Sequence, residues 1–438
     1  MKNLVIFLFL ITCWPSWAQE NTEYTSLEEL IAIGMENNFQ LRIAKNNEEL
    51  GEYLYSTGYG VLLPTVDLNG GYNGAARNTY LEQFNGNVVE QAGAQSTNLN
   101  ADITARWVVF QGFRRFNSLN RFRVEYQMSD LMYKAEMENM ITLVSRAYYT
   151  YLMEQERLHF LEQSLQLSQQ RLDIAQSNYE VGKTSRSEYL GAQVDYNADK
   201  SAIFSQQEVV NAARIEINRL LNRDLRTPVL VKNDIQINSN LSDSLLIEDA
   251  LAHNTQLLLA RGNSQASYFS LNEQKSTVYP TISLFGTYAY NRNTAEVGFA
   301  KLNRATGPQY GVTFSWTLFN GLAQARQTEV IKTQVSNLKL QEEESEQQLT
   351  ANLLSVYFNY TNNISLLSLE AENVKFAQEN YDLALERYKI GNSNALEIRE
   401  AQQNALQAEI RYLTAAYQVK LAEIEMQRLS GNLIESVN

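Results

Sequence analysis

The run Asn98-Leu99-Asn100-Ala101-Asp102-Ile103-Thr104-Ala105-Arg106-Trp107 decides how this chain is read. Apolar Leu99, Ala101, Ile103, Ala105 and Trp107 alternate with polar Asn98, Asn100, Asp102, Thr104 and Arg106. Period two marks a strand with two different faces. The run from Thr65 does the same, with Val66, Leu68, Gly70 and Tyr72 on one face and Thr65, Asp67, Asn69 and Asn73 on the other. A second pair follows later in the chain. Ile282, Leu284, Gly286, Tyr288 and Tyr290 form one apolar edge, and Tyr310, Val312, Phe314, Trp316 and Leu318 return against Gly311, Thr313, Ser315 and Thr317. About ten tilted residues of this kind span an outer membrane, apolar outside and polar inside. Trp107 and Trp316 occupy equivalent places near the strand ends, as membrane-interface aromatics would. The alternative is a soluble antiparallel sheet with one face on a core.

The strand pairs belong to an internal duplication. Asn38-Phe39-Gln40-Leu41 returns as Asn254-Thr255-Gln256-Leu257, and Pro64-Thr65-Val66-Asp67-Leu68 as Pro280-Thr281-Ile282-Ser283-Leu284. Phe110-Gln111-Gly112-Phe113 returns as Phe319-Asn320-Gly321-Leu322, and Tyr179-Glu180-Val181-Gly182 as Tyr388-Lys389-Ile390-Gly391. The expected organisation is a first repeat over 19–222, a polar linker over 223–243 and a second repeat over 244–438. Within them the hairpins cover about 64–110 and 280–319 and the long helices about 113–180 and 322–389. The tip turns fall at about 181–187 and 390–395.

Neither Gly nor Pro interrupts Phe113 to Glu180 or Leu322 to Lys389. Each stretch would make a helix on the order of 100 Å long at about 1.5 Å per residue. Leu349, Leu353, Val356, Tyr360, Ile364, Leu367, Ala371 and Val374 follow coiled-coil spacing, with Met140, Val144, Ala147, Tyr151 and Leu158 as first-copy counterparts. Gly182 and Gly391 stop these helices, and Lys183 to Ser187 and Asn392 to Asn394 form polar turns.

Composition narrows the function. The 438 residues carry 36 Lys+Arg against 49 Asp+Glu, a formal charge of −13, which argues against nucleic acid. One Cys and two His leave no disulfide framework and little means of building a zinc or His-based catalytic centre. No nucleophile, base and orienting group can be assembled from motifs, so an enzyme is not expected, nor a metal or cofactor. His159 and His253 lack ligand partners in spacing. Without a Walker-type loop the chain carries no motor. Residues 1–18 read as a signal peptide: Lys2, an apolar run from Leu4 to Trp14, then Ser16-Trp17-Ala18 before Gln19. Cys13 leaves open a lipidated form, against which Leu10-Ile11-Thr12 supplies no small residue before it. No other apolar run could make a transmembrane helix, so entry into a membrane would be as a β-barrel. Arg114, Arg115, Arg121 and Arg123 cluster below the first hairpin, either as a solvated helix start or as contacts to lipid phosphate.

These features together resemble the TolC-type outer-membrane channel family, the exit ducts of tripartite efflux pumps and type I secretion systems. The resemblance implies a mainly α fold with a membrane β-barrel portion, in a homotrimer of twelve strands continuous with a periplasmic tunnel of twelve helices. It implies a passive gated duct in the outer membrane of a Gram-negative bacterium, in contact with its lipid. The implied partners are a periplasmic adaptor protein and an inner-membrane pump, read as proton-driven. A type I protein-secretion duct is the alternative within the fold, and a soluble periplasmic coiled-coil scaffold the alternative outside it. The family closes its entrance with acidic rings just past the second turn, which points to Glu397 and Glu400 as gate residues, with Glu188 the first-copy counterpart of Glu397. Gly191 stands opposite Glu400, and Ser393 replaces a basic latch residue found in some members. The adaptor-docking tips would be Gly182, Lys183, Ser185 and Arg186 in the first turn and Gly391, Asn392 and Ser393 in the second.

Overall fold

A computed structural model describes residues 25–231, 235, 237 and 243–436. The expected signal peptide, with Lys2 and Cys13, lies outside these residues, as does part of the linker. The elements run α1 (Leu27–Asn37), α2 (Phe39–Gly58), a 3-10 turn, β1 (Thr65–Glu82), β2 (Val88–Gln111), α3 (Arg114–Glu180) and α4 (Arg186–Leu220). The same order then repeats: α5 (Asp243–His253), α6 (Thr255–Ser276), β3 (Thr281–Ala295), β4 (Leu302–Ser315), α7 (Ala323–Lys389) and α8 (Ala395–Ser430). Both α3 and α7 are 67 residues long. Asn38 and Asn254 start α2 and α6 alike, their side chains accepting the amides of Leu41 and Leu257.

By contact the chain forms two compact units, each drawing on both sequence repeats. One gathers the described residues of Met1–Gly34, Val144–Gln236 and Glu370–Tyr417; the other those of Met35–Leu143, Ile237–Leu369 and Gln418–Asn438. The second unit holds the whole sheet. Its helical core contains Leu349, Leu353 and Tyr360 from the predicted α7 stripe, packed with Leu246, Leu257, Val419, Met426 and Leu429. The first unit has a smaller core of Tyr381, Ala384, Tyr388, Ile398 and Ala401, against which Leu167 and Ile174 pack.

The sheet is antiparallel in the order β1-β2-β3-β4. Its register separates two chemistries. One face carries Leu68, Ile103, Tyr288 and Pro308 in a single row across the four strands. The other carries Asp67, Thr104, Thr287 and Gln309, and further along a row of four asparagines, Asn73, Asn98, Asn293 and Asn303. Thr104 Oγ1 and Thr287 Oγ1 lie 2.9 Å apart, and Asn69 Nδ2 donates to Asp102 at 3.1 Å. Such cross-strand polar pairs fix register on that face.

The strands differ from expectation at their ends. β1 and β2 have 18 and 24 residues rather than about ten. The polar stretch beyond Asn73 contains no Pro to stop it, and it stays paired through a bulge between Arg77 and Thr79, where Asn78 Oδ1 accepts the Gly93 amide at 2.9 Å. β4, with 14 residues, starts earlier than expected and ends at Ser315, so Trp316 and Leu318 lie past it. The turn into α7 begins there, and the Trp316 indole N–H reaches back to the Val278 carbonyl at 3.0 Å.

Candidate functional site

The helix-turn-helix tips lie in the first unit, and their backbone follows from two glycines. Gly182 has φ 73° and Gly391 φ 81°. Lys183 N donates to Asn178 O and Asn392 N to Arg387 O, both at 2.8 Å, closing each helix with a Schellman turn. The next helix starts at once: Ser185 Oγ accepts the Glu188 amide at 3.2 Å, and Asn394 Oδ1 accepts the Glu397 amide at 2.9 Å. Gly182, Lys183, Ser185, Arg186, Gly391 and Asn392 are exposed, while Ser393 is half-buried. Exposed Val181, Ile390 and Leu396 stand among them. Sequence reading passed over these three because each flanks a helix end, where an apolar residue ordinarily packs inward.

The three acidic candidates have different surroundings. Glu397 is neutralised: Arg387 Nη1 lies 2.6 Å from one carboxylate oxygen and Ser393 Oγ donates to the other at 2.8 Å. Arg387 also donates to the Asn392 carbonyl at 3.3 Å, so it ties the turn to the helix beyond it. Glu400 is exposed and, among the described residues, unpaired. Glu188 accepts from Thr184 and, at 3.4 Å, from the Tyr388 hydroxyl. Burial, and then the nearby Glu188 charge, push the Tyr388 hydroxyl above its ordinary pKa.

Further up the same unit sits a charge cluster that the sequence reading missed. Arg171 on α3 is 3% exposed, and its Nη2 lies 3.3 Å from Asp195 on α4. Asp195 also takes Arg399 of α8 at 2.7 Å. Arg171 Nε and Nη1 are buried and, among the described residues, have no hydrogen-bond partner. Burial lowers the Arg171 pKa, although Asp195 and Asp199 oppose the shift. Beside it, Gln402 Nε2 reaches the side chains of Ser164 and Ser168 at 2.9 and 3.0 Å. A signal existed: Arg171 and Asp195 stand symmetrically about the turn at Lys183, as Arg387 and Glu397 do about Asn392, so each pair must meet in an antiparallel hairpin.

The strand-to-helix junctions lie in the second unit. Gly112 and Phe113 have φ 58° and 64°, and Gly321 and Leu322 have φ 68° and 65°. Two bulky residues thus hold a left-handed conformation that costs them energy. The Trp107 indole N–H donates to the Leu62 carbonyl at 2.9 Å, as Trp316 does to Val278, so both tryptophans bind the segment entering the preceding strand. Arg114 is exposed, Arg115 donates to the Val108 carbonyl, Arg121 pairs with Glu273 at 2.8 Å, and Arg123 donates to the Tyr55 hydroxyl at 3.3 Å. Among the described residues no helix is long and apolar enough to cross a membrane, and no three His, Cys, Asp or Glu side chains gather to hold a metal.

A two-faced antiparallel sheet continuing into paired helices of this length defines an outer-membrane duct with a periplasmic helical tunnel. The outer membrane efflux protein family matches residues 30–223 and 246–432. The chain belongs to that family. It is 21% identical to outer membrane protein TolC of Vibrio cholerae over 427 residues, covering 94% of this chain and 91% of that one. Alkaline protease secretion protein AprF of Pseudomonas aeruginosa is 19% identical over 302 residues, 67% of this chain and 62% of AprF. The CmeC outer membrane channel of Campylobacter jejuni shares the fold at a TM-score of 0.77 and 14% identity, covering 99% of this chain and 94% of CmeC. The protein is therefore an outer-membrane efflux duct of a Gram-negative cell with a periplasmic tunnel, and the soluble scaffold is set aside.

Proposed function

We propose that the protein works as a homotrimer, the passive exit of a tripartite efflux pump carrying small molecules, and that its tips dock a periplasmic adaptor. Trimerisation is supported by β1 and β4 being unpaired edges of a four-stranded sheet. Three copies would supply twelve strands, enough to close a barrel without edges. The energy would come from an inner-membrane pump, read as proton-driven. The docking surface would combine the exposed backbone at Gly182 and Gly391, the polar Lys183, Ser185, Arg186, Asn392 and Ser393, and the apolar Val181, Ile390 and Leu396.

The single observation that carries the gate is the contrast between Glu400, exposed and unpaired, and Glu397, held by Arg387 and Ser393. Under threefold symmetry Glu400 would supply the net negative ring that attracts cations. Glu397 would hold the turn closed, and Glu188 would do so for the first turn through Tyr388. Single-channel conductance in planar bilayers tests this. Glu400→Ala should lower cation selectivity and block by multivalent cations, while Glu397→Ala should chiefly raise conductance by freeing the turn. Unchanged currents in both variants would discard these gate residues. Protein export is the second reading, supported by the likeness to a protein named for alkaline protease secretion. Trp107 and Trp316 would lie at the inner membrane interface.

A further inference from the structure

The apolar face of the sheet ends abruptly at one row. Along β3 it runs Ile282, Leu284, Gly286, Tyr288 and Tyr290, and then reaches Arg292. Along β4 it runs from Phe314 through Val312, Tyr310, Pro308 and Thr306 to Arg304. The two arginines are direct cross-strand partners, in a row completed by Tyr72 and Leu99. Like charges placed opposite one another destabilise a strand pair, so the juxtaposition calls for a counter-charge.

Among the described residues no ion pair supplies it in full. Arg292, Arg304 and the nearby Lys301 are exposed, and among the described residues their side chains make no ion pair. Glu296, whose carboxylate accepts the Gln95 backbone amide at 2.7 Å, lines the same cleft and offsets one of these three charges, which leaves the group net positive. A second copy docking its β1 beside β4 would not help. The same face of β1 reads Val66, Leu68, Gly70, Tyr72, Gly74 and Ala76, while Asp67 points to the opposite face and Glu82 lies beyond the bulge.

Position says what the counter-charge is. Ile282 to Arg292 spans roughly 34 Å along the strand at about 3.4 Å per residue. At a tilt of about 40° this gives a band about 25 Å tall, the height of the lipid-facing girdle of an outer-membrane barrel. Arg292 and Arg304 therefore stand at the far headgroup boundary, where an exposed arginine costs little and phosphate is at hand. A cleft of about 450 Å³ opens beside Arg292, the cross-strand partner of Arg304, and is lined by Arg292, Lys301, Glu296, Leu302 and the mutually bonded hydroxyls of Thr97 and Thr294 among others. Guanidinium and ammonium donors at the end of an apolar sheet face suit a phosphate carried on an acyl chain.

We propose that Arg292, Arg304 and Lys301 form a binding site for the phosphate of an anionic membrane lipid at the barrel rim away from the periplasmic helices. The test is native mass spectrometry of the full-length detergent-purified protein, offered phosphatidylglycerol and phosphatidylcholine at equal concentration. The wild type should retain the anionic lipid preferentially. At about fivefold per arginine near an anionic surface, Arg292→Ala/Arg304→Ala should lower that preference on the order of 30-fold. Arg292→Lys/Arg304→Lys should keep most of it, which separates lost charge from a damaged strand pair. Lys332→Ala/Lys339→Ala, which removes two exposed charges from α7, should leave it unchanged. Equal retention of both lipids by the wild type would overturn the proposal, as would a preference that survives the double alanine change. Loss of the preference in millimolar inorganic phosphate would reduce the site to a free-anion site and overturn it too.

Discussion

Removing Asp195 should damage the first unit more than removing the arginine it pairs with. Arg171 is 3% and Asp195 14% exposed, with Nη2 3.3 Å from the carboxylate. Two further donors of Arg171 are buried and unmet. Asp195→Ala therefore strands a buried cation, a change that costs about 3–5 kcal/mol in well-buried pairs. The residual exposure of Asp195 points to the lower end, about 3 kcal/mol. Loss of the Asp195–Arg399 pair adds little, because Arg399 is 44% exposed. Arg171→Met removes the cation together with its unmet donors and keeps an unbranched side chain, so it should be neutral or stabilising by about 1 kcal/mol or more. The Asp195→Ala/Arg171→Met double variant should recover most of the loss, giving a large coupling energy. Hydrogen exchange of α3 and α4 amides around the pair reads this locally. Opening should be on the order of 100-fold more frequent in Asp195→Ala and unchanged or rarer in Arg171→Met. The reasoning fails if Arg171→Met is the more damaging substitution, or if the double variant is as loose as Asp195→Ala.

The two junction glycines should respond differently to alanine. A Cβ at Gly112 would sit 2.5 Å from the Ser276 carbonyl oxygen and 2.8 Å from Tyr279, whereas one at Gly321 meets nothing within 4 Å. Gly321→Ala should cost only its left-handed backbone, on the order of 1 kcal/mol, and Gly112→Ala two or three times that. Thermal loss of the folded barrel by gel mobility would show it, and equal shifts would contradict it. Glu138 gives a pH dependence. It is 4% exposed on α3, and burial raises its pKa above 4.5, opposed by a hydrogen bond from Thr255 at 2.8 Å. A carboxyl raised in the folded state favours folding while protonated. Its contribution is complete below pH 4.5 and is lost as pH rises through the folded value. Glu138→Gln should therefore stabilise the protein at neutral pH and not at pH 4, read from melting temperatures; stabilisation by the same amount at both would remove Glu138 from the account.

The sheet and the long helices were legible because their patterns are long and regular. Alternation at Leu99 to Trp107 fixes one face of β2, and α3 and α7 contain no residue that could break them. Strand ends were less legible. β2 continues into Val88 to Asn98, where hydrophobicity no longer alternates and pairing is set instead by Asn78 and Gly93. Trp316 reads as strand from its spacing, but β3–β4 pairing ends at Thr281–Ser315, beside Pro280, which has no N–H to give, whereas Trp107 keeps a partner in Leu284 of β3. Charges were least legible. Glu397 and Glu400 read alike in sequence, and only the hairpin geometry that brings Arg387 back across the turn distinguishes them.

Comparison of the two repeats separates what the fold demands from what one copy alone has acquired. Both keep the left-handed pair at the strand-helix junction, the indole bond across it and the Schellman turn at the tip. Two of these are backbone devices and the third ties a side chain to the segment entering the hairpin. The charges around them are not shared. Arg387 has its first-copy counterpart at Asn178, and Glu400 at Gly191. Glu188 is held by two hydroxyls where Glu397 is held by a guanidinium and one hydroxyl. In the proposed trimer an opening ringed by six tips would therefore alternate two kinds. Three would carry a free carboxylate above a salt-bridged turn, and three a neutral position above a turn tied only by hydroxyl hydrogen bonds. An exposed ion pair is screened by salt, and the hydroxyl bonds to Glu188 are much less so. The second-copy turns should then loosen as ionic strength rises, while the first-copy turns should not.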